Sequence, residues 1–469
     1  IIYFDANLEE AGQIAELSAG TQELATRTGQ GVPLFIGVDQ EQGMVVRLPV
    51  GTLFPDAMAV GATGDTELAA LRASITAEEL TALGINLNYA PVADVNTDPN
   101  NPVIGIRSFG SDPDLVSDMA LAEAGAYAEH GVVPVVKHFP GHGDTDVDSH
   151  TGLPVIDLPR DRWESEHLPP FRAAVEAGVD SIMTAHVLMP QLDDNEDGDP
   201  ATLSPTIIGE ILRGELGYDG VVTTDALNME GVRQTHSDGE IAVRALEAGV
   251  DQLLMPADPA TAVSAVRSAV DEGRLTEERV DESVLRVLTL KEKRGVLDTE
   301  PSDIDPEEAA AAVEVPEHEE AAQNVAEASV TLVRNEGDLL PLAEDTNVSV
   351  RGEGATTIEG GLADAGVGVT EAPADVVVVG TNGARGSAEQ RALVESAREQ
   401  GVPVVVVAQG GPYDLEAFPD VDAFIAVYSN VEVSLVAAAK VIAGQVNPSG
   451  TLPVDIPGAD VEAGAGLRF

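Results

Sequence analysis

The chain is 469 residues long, 43% hydrophobic, and carries 81 acidic against 25 basic residues, a formal net charge of −56. That length suits two domains with full-sized cores, and that charge repels nucleic acid and anionic membranes. Cysteine is absent, which excludes disulfides, thiolate metal sites and cysteine nucleophiles.

In chain order, seven strand-like runs alternate with helical patterns: Ile1–Phe4, Pro33–Val38, Ile85–Ala93, Val132–Lys137, Ser181–His186, Val221–Thr224 and Gln252–Met255. Helical periodicity falls between them, as in Leu68–Leu83, Leu115–His130 and Pro169–Ala177. This alternation predicts a parallel sheet, and over some 300 residues it favours a closed (β/α)8 TIM-type barrel spanning 1–298. The chain opens inside an apolar run without an initiator methionine. The eighth strand is therefore expected to be either the first one, lost with the true N-terminus and any targeting segment, or a degenerate one. Residues 299–328, rich in Asp, Glu, Ala and Pro, read as a linker running into a helix. A second series, Val330–Val333, Val348–Val350, Val376–Val379, Pro403–Val407 and Ala423–Val427, predicts a smaller doubly wound α/β sandwich domain over 329–469. The glycine turns Gly380–Gly383 and Gln409–Pro412 match no nucleotide-binding pattern and read as ordinary strand–helix turns. No apolar stretch reaches 18 residues, so no membrane span is expected.

The acid is spread along the chain, and only four lysines are present. Apolar strands run between the charges, which argues against disorder. Dispersed acid with scarce lysine resembles the proteins of salt-accumulating halophiles. In molar salt the screening length shrinks to about 3 Å and self-repulsion becomes tolerable.

Polar residues end five successive strands: Asp39, Asp94, the pair Lys137–His138, His186 and Asp225. Strand C-terminal ends are where parallel α/β folds build chemistry, so the five predict one polar pocket. Asp225 alone reads equally as a helix N-cap before Ala226–Met229. Arg107 either clamps a ligand oxygen through its fork or pairs with one of the many acids. The loop Lys137–His150 holds three of the eight histidines. In it Asp148 stands two residues before His150, placed to orient the ring for general acid–base work. A zinc site from His138, His142, His150 and Asp144 is the rival reading, but its spacing matches no known metal pattern.

The stretch Lys137–Pro154, K-H-F-P-G-H-G-D-T-D-V-D-S-H-T-G-L-P, resembles the signature of NagZ-type β-N-acetylglucosaminidases of glycoside hydrolase family 3. Gly37–Gly43 with Arg47, Ala90–Asn96, Arg107–Phe109, Thr224–Met229, Thr331–Asn335 and Asn447–Pro453 carry the same resemblance across the chain. It implies a barrel with a C-terminal α/β domain and a retaining two-step hydrolysis without a cofactor or metal. Asp225 would be the nucleophile, and His150, paired with Asp148, the acid/base. Asp39, Arg107, Lys137 and His138, with the strand-end residues Asp94 and His186, would hold a non-reducing N-acetylglucosamine. Gln42 departs from the glycine usual at its place in this family. For a halophile, chitooligosaccharides are the expected substrates. A β-N-acetylglucosaminide phosphorylase and a non-catalytic sugar-binding protein are the alternatives. The small carbohydrate is the one partner expected.

Overall fold

Six short parallel strands form the first sheet in strict chain order: β1 (Ile2–Tyr3), β2 (Gly37–Val38), β3 (Leu87–Asn88), β4 (Val133–Phe139), β5 (Ser181–Thr184) and β6 (Val221–Thr223). The computed structural model describes residues 1–194, 198–371 and 373–469. Two of the strands are shorter than their sequences promise because side-chain amides replace the ladder. Asn86 accepts from Ile36 N at 2.8 Å and donates to Leu34 O at 3.1 Å. Asn88 does the same for Gln40. In β4 the proline is harmless. Val133 and Val135 both donate towards the β3 side, to Asn86 O and Ala90 O. Position 134 therefore faces β5, and that ladder begins only at Val135.

The expected closure into eight strands is not seen. Beyond β6, Gln252–Met255 contributes one parallel bridge, Thr223 to Gln252. No ladder among the described residues joins that segment to β1. The result is a curled parallel sheet, a half-barrel wrapped by helices such as Thr66–Ala82, Pro113–Glu129 and Leu168–Glu176. Two of these start on aspartate caps, Asp65 and Asp112, each accepting an orphan backbone N–H.

Segment 299–328 is largely helical, with Pro306–Ala312 and Pro316–Ser329. The second sheet runs β7 (Thr331–Asn335), β12 (Ala423–Ala426), β11 (Val404–Ala408), β10 (Val376–Thr381), β8 (Asn347–Gly352) and β9 (Gly368–Val369), with only β7 antiparallel. Its central strands are almost pure valine because both faces are covered. Val378 and Val405 pack with Ile358 and Leu435 on one face. Val377 and Val406 pack on the other with Val394, and with Met58, Ala59 and Ala62 from the helix Ala57–Thr63 of the first domain. The two domains thus share a core. No helix among the described residues is long and apolar enough to cross a membrane.

A buried acid lies at that junction. Asp56 accepts from Met44 N at 2.8 Å and from the Ser429 hydroxyl of the second domain at 2.6 Å. Burial pushes its carboxyl up to about 6. The raised value means that the native state favours the protonated acid. Its stabilising contribution is complete below the unfolded value near 4 and is lost as pH climbs through 6. Above that range an ionised Asp56 costs the native state roughly 3 kcal/mol. Asp56→Asn is therefore expected to raise the melting temperature at pH 7.5 and to raise it less at pH 4.5. Thermal unfolding at the two pH values checks this, and an equal gain at both would refute it.

Candidate active site

The strand ends open on one cavity of about 340 Å³. Asp39, Arg107, Lys137, His138, His150 and Asp225 all line it. Neighbours along a strand ordinarily face opposite sides. Lys137 and His138 share the cavity because the register with β5 slips between Val136 and Phe139.

A buried charge network forms one wall. Lys137 donates to Asp39 at 2.9 Å and pairs with Glu41 at 2.6 Å. Arg107 grips Glu41 through Nε and Nη2, both at 2.8 Å, and donates Nη1 to Val103 O at 2.7 Å. Burial alone would raise Glu41, but Arg107 and Lys137 hold its carboxyl well below the usual range. The fork of Arg107 is thus largely a structural ion pair, and two of its five N–H donors remain for a ligand. Glu41 is the residue the sequence reading passed over. Alternation carried two residues past the strand end from Asp39 would have placed it on the same side.

Two of the expected ligand contacts stand behind the wall instead. Asp94 is fully buried and does not line the cavity. It accepts His138 Nδ1 at 2.6 Å and His142 N at 2.7 Å. Burial would raise it, yet the neighbouring imidazoles and the His142 amide hold it low. An ionised Asp94 fixes the His138 ring with Nδ1 protonated. His186 is also fully buried, between Thr202 Oγ1 at 2.8 Å and Ala226 O at 3.1 Å. It steadies the peptide that follows Asp225. The physical reason is depth: both residues lie past the ends of the strands they follow and turn inward onto other side chains before they reach the cavity.

Asp225 is half-buried. The N-cap reading fails, because the next helix is Glu230–Arg233 and Met229 is its cap. Asp225 accepts from Ala226 N at 2.7 Å. Burial raises its carboxyl, while His138, His186, that amide and Lys137 lower it, leaving it below the ordinary value. It is ionised at neutral pH and can act as a nucleophile.

His150 sits at the rim with its side chain 61% exposed. Asp148 Oδ1 accepts both His150 Nδ1 and His150 N at 2.8 Å. Burial would raise Asp148, but the His150 backbone and ring lower it. The pairing puts the proton on Nδ1 and frees Nε2 for transfer. The loop rests on Gly231, whose N donates to Ser149 O at 3.1 Å. A Cβ there would lie 2.7 Å from that oxygen. Gly143 allows close approach of the backbone: a Cβ would stand 1.7 Å from Val95 O. His142 lines the cavity as well, with Nε2 on Ser149 Oγ at 2.9 Å, and burial lowers its pKa to about 4.

The rival zinc site does not assemble. His138, His142 and His150 turn to Asp94, Ser149 and Asp148 respectively. No group of three or more His, Cys, Asp or Glu among the described residues is arranged to hold a metal ion. Gln42 adopts a φ of 74°. Its buried amide donates to Thr76 Oγ1 at 2.9 Å and accepts from Phe54 N at 3.2 Å. Those bonds offset the cost of roughly 1 kcal/mol for a left-handed residue that is not glycine.

Residues 1–290 match the glycosyl hydrolase family 3 N terminal domain, and residues 367–465 match the glycosyl hydrolase family 3 C-terminal domain. The beta-hexosaminidase A of Pseudoalteromonas piscicida is 38% identical over 371 residues, 74% of this chain and 61% of that protein. The chain therefore spans less than two thirds of that relative. A solved family 3 beta-N-acetylglucosaminidase from a Paenibacillus species superposes with a TM-score of 0.89 at 40% identity, covering 97% of this chain and 92% of that one. A solved beta-glucoside phosphorylase superposes with a TM-score of 0.86 at 25% identity, covering 96% of this chain and 88% of that one.

Proposed function

We infer the reaction from one premise: the chain belongs to glycosyl hydrolase family 3. The proposed activity is a retaining exo-β-N-acetylglucosaminidase. The observation that carries it is the meeting of Asp225, the Asp148–His150 pair and the Lys137–Glu41–Arg107–Asp39 network on one small cavity. That volume lies at the lower end for ligand pockets, which suits one terminal sugar ring.

In the first step an Asp225 oxygen attacks the anomeric carbon as the glycosidic C–O bond breaks. His150 Nε2 gives its proton to the departing oxygen, and Asp148 supports the charge change on the ring. In the second step the neutral Nε2 takes a proton from water. That water's oxygen attacks the anomeric carbon and releases the Asp225 carboxylate. Two inversions retain configuration. Asp39 accepts from sugar hydroxyls, while Lys137, His138 and the two remaining Arg107 donors give bonds to its oxygens.

The test is incubation in molar salt with chitobiose, aryl N-acetylglucosaminide and aryl glucoside, each with and without phosphate. N-acetylglucosamine should be released from the first two irrespective of phosphate. A sugar 1-phosphate formed only with phosphate would move the assignment to a phosphorylase, and no turnover to a binding protein.

The acidic, lysine-poor surface supports a halophilic setting, with chitin fragments as substrate. Dilution from 1 M to 0.1 M salt lengthens screening from about 3 Å to about 10 Å, so many more like charges repel. The melting temperature is expected to fall by on the order of 10 °C across that change. An unchanged melting temperature in a potassium chloride series would defeat the halophile reading.

A further inference from the structure

No described residue of the second domain lines the cavity, yet the structure ties that domain to it through one loop. Residues 96–110 form a strut. At its cavity end, Val103 and Ile104 line the wall and Arg107 grips Glu41. Asn101 organises this end: its Oδ1 accepts Val103 N at 3.0 Å and Ile104 N at 2.9 Å. Its Nδ2 donates to His142 O at 2.9 Å, and Asp98 N donates to Gly143 O at 3.3 Å. The strut therefore also holds the root of the loop that carries His150.

The outer end of the strut is held by the second domain. Arg385, after β10, donates Nη2 to Pro99 O at 3.1 Å and to the Asn100 side chain. Its guanidinium lies over the Tyr413 ring, 5.4 Å from the centroid, and pairs with Glu416 at 3.3 Å. The Tyr413 hydroxyl accepts from Asn96 Nδ2 at 3.3 Å. Pro453 O accepts from Ser111 N at 3.0 Å just past the strut. Segment 96–110 carries no strand: Ser108 and the buried Phe109 anchor its far end in the first domain, and residues 96–100 are held by these second-domain contacts.

We propose that Arg385 and Tyr413 are positioning residues for the glycosidase site, acting through the strut on Arg107 and on the root of the acid/base loop. The second domain thereby works on a sugar it does not touch. The proposal rests on the glycosidase reading of the cavity and adds a role for the second domain. Its physical basis is that binding groups displaced by a fraction of an ångström lose much of their hold.

The test uses the full chain. Arg385→Ala is expected to raise both KM for nitrophenyl N-acetylglucosaminide and Kd for N-acetylglucosamine by about five-fold, with kcat changed less than about two-fold. Tyr413→Phe, which removes only the hydroxyl bond to Asn96, should give a smaller shift of the same kind. Arg385→Lys should restore part of the loss. Should Arg385→Ala not fold, Asn100→Ala and Tyr413→Phe read the same coupling from both sides of the contact. Unchanged KM and Kd in these variants overturn the proposal, whatever happens to melting temperature. If Asp225→Ala abolishes turnover in the same hands, the glycosidase reading survives that failure. If Asp225→Ala stays active, both fall together.

Discussion

Asp225→Ala is expected to lower kcat by at least about 10³-fold on every substrate, because in the proposed mechanism no covalent intermediate forms without its carboxylate. The fold should survive. Asp225 is a half-buried strand-end acid that, among the described residues, accepts one hydrogen bond, from the next residue's amide. Its removal leaves no core cavity and lifts a negative charge from a chain of net −56. Activity on nitrophenyl N-acetylglucosaminide and the melting temperature in molar salt should therefore separate cleanly. A variant that keeps near-normal turnover on that activated substrate removes Asp225 from the nucleophile's role.

His150→Ala is expected to divide substrates by their leaving group. Nitrophenolate departs with little help, whereas a sugar alkoxide needs a proton as the bond breaks. Chitobiose cleavage should fall by roughly 10³-fold, while the first step on the nitrophenyl substrate should fall by roughly ten-fold. Asp148→Ala should show a milder form of the same split. Asp148 holds Nδ1 and the backbone amide of His150, and in the proposed mechanism it moves no proton itself. Single-turnover release of nitrophenol, compared with chitobiose kcat/KM, gives the contrast. Equal losses on both substrates would show that His150 binds ligand without transferring a proton.

Much of this arrangement is legible in the sequence. Local chemistry is written locally. Alternating β and α patterns predicted a parallel sheet, and the strand-end residues Asp39, Lys137, His138 and Asp225 were expected in one pocket and line one cavity. Asp148 and His150 are two residues apart, so their pairing at 2.8 Å needed only a turn. The valine runs of the second domain likewise announced strands buried on both faces, because no polar alternation could survive there.

What the sequence by itself determined, then, is the set of elements and the chemistry at their ends. Only the tertiary structure decided depth, partnership and closure. Asp94 and Asp39 each close a strand-like run in the sequence, yet one is buried under His138 and the other faces the cavity. Arg107 and Glu41 lie 66 residues apart and pair as a fork, so the arginine's choice between ligand and acid was not a local property. The half-barrel in place of a closed barrel, and the Arg385 contact with Pro99 across 286 residues, belong to the same class. Such outcomes depend on which surfaces meet after the chain folds back on itself. Periodicity records which face of an element is apolar, but carries no distance to the group that will cover it.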